Sequence, residues 1–193
     1  MIWLLILVLA VVAIWVVSTY NFFVSSKARI KAAVQEIGNQ LKRQADLIPN
    51  LEASTKGYLK HEKGIFEDLT SARRDISRAV ESGDVQKMAD AGAKFAGVLP
   101  SLKIAVEDNP ELKASGVITQ LMDELRDTSD KVMYARRLVI DLTVDFNVRR
   151  VTMPSSIVAN MFGFAELPGL ITPEKGAHTE VSEAETKTPK VNL

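Results

Sequence analysis

His61-Glu62 is the pair in this chain whose residue types come closest to metal-assisted or acid–base chemistry. On a helix, two histidines four apart can hold zinc while a glutamate activates water, but position 65 is Ile. A di-iron bundle needs Glu-x-x-His from each of two helices, and Tyr58 stands three residues before His61. The other histidine, His178, lies in a polar tail, so His61 is expected to be an exposed or packing residue. With no cysteine, disulfides and thiolate zinc sites are excluded. Asp123, Glu124, Asp127 and Asp130 recur at three- and four-residue spacing, and Arg126 and Lys131 offset them, which describes a solvated charged face. No serine sits in a G-x-S-x-G context and no glycine-rich phosphate loop occurs. The expectation is a non-enzymatic protein with no cofactor, no metal and no small-molecule substrate.

A more specific group is Arg43, Asp46, Pro49, Asn50 and Arg136. Proline lacks an N–H, so it leaves backbone groups of its helix unpaired. A carboxylate, an amide and guanidinium groups nearby could satisfy those groups and lock two helices in register through charge-assisted hydrogen bonds. A structural role is expected ahead of a partner-binding one.

These residues must be positioned by helices, and the first of them is apolar throughout. Met1 to Ser26 carry no charged side chain, and Ile2 to Val17 are almost entirely aliphatic. Roughly twenty helical residues cross a hydrocarbon core of about 30 Å, so this stretch is read as a membrane anchor. A cleaved signal is disfavoured: no basic residue precedes the run, and Val16-Val17-Ser18-Thr19-Tyr20 is no A-x-A-like site. A helix buried in a soluble core is disfavoured because the chain has no second apolar region large enough to enclose it. Trp3, Trp15, Tyr20, Phe22 and Phe23 include rings near both ends of the span, where headgroups favour them. Lys27, Arg29 and Lys31 all follow the span, which predicts the N-terminus outside and the body in the cytoplasm at the cell membrane.

Lys+Arg and Asp+Glu each number 24, so no overall field draws the chain to nucleic acid. Beyond the anchor the apolar residues recur at helical spacing. The first stripe runs Ile30, Val34, Ile37, Leu41, Ile48, Leu51, Tyr58, Ile65, Leu69, Ala72 and Ile76, with Gln44, Thr55 and Glu62 at its polar beats. Its period near 3.5 predicts coiled-coil-like packing, with register fixed by the polar positions. Pro49 allows a kinked continuous helix or a turn between two antiparallel helices, and the uninterrupted apolar phase favours the kink. Ser82-Gly83 ends this segment, and Asp84 is the expected N-cap of the next. A second stripe, Val85 to Val106, contains Pro100 and the small residues Ala89, Gly92 and Ala96, and it closes at Asn109-Pro110. A third, Ile118 to Phe146, stops before Pro154. No stretch reads as strand.

The fold class is therefore all-α: an N-terminal transmembrane helix followed by an antiparallel up-and-down bundle of three to four long helices. The expected divisions are 1–26 anchor, 27–153 bundle, 154–165 a short apolar segment, and 166–193 a disordered polar tail. The 154–165 segment is expected to close the bundle end rather than to dock on a partner or the bilayer surface.

Gln40-Leu41-Lys42-Arg43-Gln44-Ala45-Asp46-Leu47-Ile48-Pro49-Asn50-Leu51 resembles the signature of the LemA family of bacterial membrane-anchored proteins. Similar features continue in Tyr20-Asn21, Gly57-Tyr58, Asn109-Pro110-Glu111-Leu112, Ala135-Arg136, Asp145-Phe146-Asn147 and Pro154-Ser155 with Gly163-Phe164, spanning residues 20 to 164. Gln44 stands where a second arginine is frequent, Val34 where tryptophan is common, and Gly38-Asn39 where an acidic residue is usual. The resemblance implies a membrane segment with a four-helix bundle and carries no enzymatic activity. Arg43, Asp46, Asn50 and Arg136 all fall in the similar segments. Together these readings predict a single-pass adaptor presenting its bundle to a protein partner or to its own copies. The alternative is a self-assembling membrane-shape or envelope-organising protein.

Overall fold

The structure is a computed structural model that describes residues 1–56 and 63–171. It contains α1 (Ile2–Thr55), α2 (Lys63–Ser82), α3 (Val85–Glu107), α4 (Pro110–Ala114), α5 (Gly116–Val151) and α6 (Ser155–Met161), with no strand among the described residues. The second half of α1 packs with α2, α3 and α5 as a four-helix, up-and-down bundle. In it α1 lies beside α2 and α5, and α3 beside the same two. The first half of α1 projects from the bundle with its apolar side chains exposed, and it is long and apolar enough to cross a membrane.

The helix through Pro49 is continuous. Proline costs α1 the hydrogen bond to the Ala45 carbonyl, but Ile48 and Leu51 on either side of it are fully buried and hold the stripe in phase. The helices instead divide between Lys56 and Lys63. Continuity through Pro49 agrees with the favoured reading and overturns the turn at Pro49, while the end of α1 at Thr55 corrects the expectation that one helix runs on to Ser82. His61, Glu62, Gly57 and Tyr58 fall outside the described residues.

Ile37, Leu41, Ile48 and Leu51 of α1 meet Leu69 and Ile76 of α2, Phe95 and Leu102 of α3, and Leu125 and Val132 of α5 in one core. The buried row departs from strict heptads at two places, where Ala33 and Thr143 are buried and Val34 and Leu142 half-buried. A straight helix turns every 3.6 residues and drifts against a 3.5 repeat, so the buried face migrates by one position. The expected cap at Asp84 is present. The Asp84 carboxylate accepts from the backbone N–H of Gln86 at 2.9 Å and of Lys87 at 3.1 Å, and Gly83 makes the preceding turn at φ 64°. Asn109 caps the added short helix α4 through Glu111 N–H at 3.1 Å, which seats Leu112 in the core. Lys94 of α3 pairs with Asp75 of α2 and holds that carboxyl below its usual range.

α3 approaches α1 and α5 closely at Gly92. A Cβ there would lie 2.7 Å from Val132 Cγ1 and 3.4 Å from Leu41 Cδ2. Val132 is β-branched and fixed in one helical rotamer, so it cannot give way cheaply. Gly92→Ala is expected to lower stability by about 1–2 kcal/mol, overpacking outweighing the gain in helix propensity. Gly97→Ala, on the same helix with open space at its Cβ, is expected to raise stability by about 0.5–1 kcal/mol. Equilibrium unfolding of the two variants checks the opposite signs.

At the foot of the bundle, where α1 emerges, Phe23 stacks on Phe164 with ring centroids 4.8 Å apart and meets Phe146 edge-on at 5.2 Å. Tyr20 lies 4.8 Å from Phe162. The chain turns back from α6 through a Schellman closure: Phe164 N–H donates to Ala159 O, and Gly163 N–H to Asn160 O. Gly163 holds the φ of 68° that this turn requires. Residues 166–171, assigned to the tail by composition, are held against the bundle. The Asn147 side chain bonds both backbone groups of Leu167 at 2.8 and 3.0 Å, and the Gln86 side chain contacts both of Ile171 at 3.3 and 2.8 Å.

Candidate functional site

Arg43 projects from α1 across to α5, where its guanidinium donates to Glu124 at 3.2 Å. Both side chains are partly solvent-exposed, so the pair contributes at most about 1 kcal/mol. Asp46 and Asn50 are exposed and hydrogen-bond to no other side chain or backbone group among the described residues. The backbone-satisfying role expected of them beside Pro49 is therefore not what the structure shows. Arg136 is half-buried on α5, twelve positions from Glu124, or about 18 Å along the helix. Its Nε is buried and has no hydrogen-bond partner among the described residues. The five residues thus form no single constellation: Arg43 ties two helices, Pro49 is half-buried within α1, and Arg136 belongs to another level of the bundle. Asp46→Ala is accordingly expected to shift stability by no more than about 0.5 kcal/mol, read from its unfolding midpoint.

The acidic face of α5 is also resolved into parts. Glu124 answers Arg43, and Asp127 pairs with Lys131 at 2.7 Å. Asp123 and Asp130 turn to the rim of a groove between α3 and α5. Among the described residues no three His, Cys, Asp or Glu side chains are placed to share a metal ion.

That groove has a volume of about 630 Å³. It begins past the close approach at Gly92 and runs toward α4. Ala96, Leu99, Pro100 and Val106 of α3 form one wall, and Met122, Ser129 and Met133 of α5 the other. Three features of the sequence open it. Ala96 is too small to fill the seam, Pro100 lies exposed within α3, and the methionines on α5 are flexible fillers rather than interlocking knobs. Its apolar floor is flanked by Lys103, Lys113 and Arg126 and by Glu107, Asp123 and Asp130. Such a trough offers a surface for an apolar helix face with charged shoulders of either sign. The stripe reading took Leu99 and Leu121 as core residues, whereas both are half-buried. Helical spacing reports which side of a helix is apolar, not whether the neighbouring helix fills it.

The sequence model of the LemA family matches residues 33–192, which takes in the whole bundle from the second half of α1 onward. A comparison with curated proteins returns no match.

Proposed function

The chain belongs to the LemA family, and on that premise we propose that it is a single-pass, membrane-anchored interaction protein without catalytic activity, whose cytoplasmic bundle receives an amphipathic helix of a partner protein. The observation that carries this reading is the α3–α5 groove. Its length along two helices, its methionine-lined wall and its rim of both charge signs match the helix-in-groove mode of recognition. The apolar first half of α1 supplies the anchor. Cytoplasmic placement is supported by Lys27, Arg29 and Lys31 beyond the span, joined at the same end by Arg149 and Arg150 of α5.

The test is site-specific photocrosslinking in cells from Met133 in the groove and from Ala93 on the exposed face of α3. A single hetero-partner crosslinked from Met133 and not from Ala93, and lost when Leu99→Glu charges the groove floor, is the expected result. Equal crosslinking from both positions, or persistence in the Leu99→Glu variant while the bundle remains folded, overturns the groove as the binding surface.

A second reading has its own observation. Tyr134 and Leu138, one turn apart on α5, are exposed apolar side chains, and such a pair can seat against a second copy of the chain. Crosslinks joining only copies of this chain, formed from Tyr134, would favour the self-assembling, envelope-organising alternative.

A further inference from the structure

From Ile2 to Ile14 the side chains of α1 are exposed on all sides, and Trp15 is the first to be partly covered. At 1.5 Å per residue this bare portion is about 20 Å long. A bilayer's hydrocarbon core is about 30 Å thick, so the next two turns of α1 must lie at hydrocarbon depth as well. Those turns are not bare. Thr19 is buried, Trp15 and Val16 are half-buried, and Tyr20 packs on Phe162. The chain covering this end is the elbow formed by the last turn of α5, α6 and the Schellman turn, which reaches Phe164.

The elbow has the surface of a membrane-inserted element. No charged residue occurs from Val151 to Ala165, and its outward side chains include Val151, Met153, Ile157, Met161 and Phe162, between 48% and 68% exposed. The flanking charges rest on aromatic rings or are paired. Arg149 lays its guanidinium 4.0 Å over the Phe22 ring, and Arg150 bonds Glu166 at 3.1 Å. Lys27 sits over the rings of Phe146 and Phe164. The elbow's hydroxyls are satisfied internally: Thr152 donates to Val148 O at 2.7 Å, and Ser155 to Arg149 O at 2.7 Å. Internal satisfaction of backbone carbonyls and hydroxyls is what hydrocarbon demands of any chain that enters it.

We propose that the Val151–Phe164 elbow is sunk into the bilayer leaflet that adjoins the bundle, so that the membrane-embedded unit is the anchor helix together with a second, re-entrant element clamped to it. The occupant of its exposed apolar face is lipid, continuous with the lipid around the anchor. The elbow and the long helix then act as two points of attachment and fix the tilt of the bundle against the membrane surface. The inference rests on α1 spanning a bilayer, and the experiment separates the two.

Because the chain has no cysteine, a single nitroxide can be attached at Val8→Cys, Ile157→Cys, Met161→Cys or Ala93→Cys, all exposed positions whose replacement leaves the core intact. The full chain is reconstituted at low density in phosphatidylcholine–phosphatidylglycerol vesicles. Relaxation by dissolved oxygen and by a water-soluble nickel chelate is then compared. The expected result is that Ile157 and Met161 resemble Val8, with oxygen collisions severalfold above nickel collisions, while Ala93 shows the reverse. Nickel-accessible labels at Ile157 and Met161 beside an oxygen-accessible Val8 overturn the inserted elbow and leave the anchor standing. Labels at Ile157 and Met161 shielded from both agents also overturn it, because protein rather than lipid then covers the face. A nickel-accessible Val8 overturns the membrane span and the elbow with it.

Discussion

Phe146→Ala is expected to cost about 3–5 kcal/mol, the largest single effect among substitutions at the bundle foot. The side chain is fully buried, and its ring meets Phe23 edge-on at 5.2 Å and Phe164 at 6.4 Å. It joins three parts of the chain that are far apart in sequence: the exit of the anchor, the end of α5 and the returning segment after α6. Those elements pack around a small satellite cluster with few members, so neighbouring groups cannot collapse to refill the space of a lost ring. Phe162→Ala supplies the contrast. That ring is 48% exposed, and its removal is expected to cost about 1 kcal/mol or less from the folded chain in detergent. Denaturant unfolding of the two variants tests the difference, and amide exchange localises it. In Phe146→Ala the amides of α6 and of Leu167 should lose protection before those around Phe95 in the main core. Equal losses in the two variants, or unchanged exchange in α6, would show that the cluster does not hold the elbow.

The same cluster illustrates what a linear reading can and cannot recover. Phe146 ends a helical stripe and Phe23 ends an apolar run, so both register as apolar positions. Their meeting follows only from the antiparallel alignment of α1 with α5. The fold itself is encoded by short-range signals: the 3.6-residue periodicity, the Asp84 and Asn109 caps, and the stop before Pro154. The first helix end is different. Proline is the stronger local punctuation, yet burial of Ile48 and Leu51 carries α1 past Pro49 to Thr55, near the glycine at position 57 that marks a helix end by sequence. The candidate residues divide in the same way. Arg43 finds its partner 81 positions away, which no local spacing reports. The chemical character of Asp46 and Asn50 says nothing of the solvent they face. The α3–α5 groove is least legible of all, since it is a missing volume between two helices rather than a property of either.

Gln44→Leu is expected to raise stability by about 1–3 kcal/mol. Gln44 is the polar beat of the first stripe, and it is wholly buried. Thr55 and Thr128, buried as deeply, return their hydroxyls to carbonyls of their own helices, each at 2.8 Å. The Gln44 amide is too long to do so, and neither its Nε2 nor its Oε1 has a hydrogen-bond partner among the described residues. Burying an amide without compensation sacrifices its hydration and recovers nothing. Leucine is close in volume, so the substitution removes that penalty without opening a cavity. A stability cost carried at a central position is explained if the amide rejects alternative helix registers, as single polar residues do in coiled-coil seams. The substitution should therefore raise the unfolding midpoint while broadening the distribution of oligomers seen by size analysis in detergent. A lowered midpoint would mean that the amide is satisfied in the folded protein. A raised midpoint with an unchanged oligomer distribution would mean that the heptad-like packing of α1 is specified by its apolar neighbours alone.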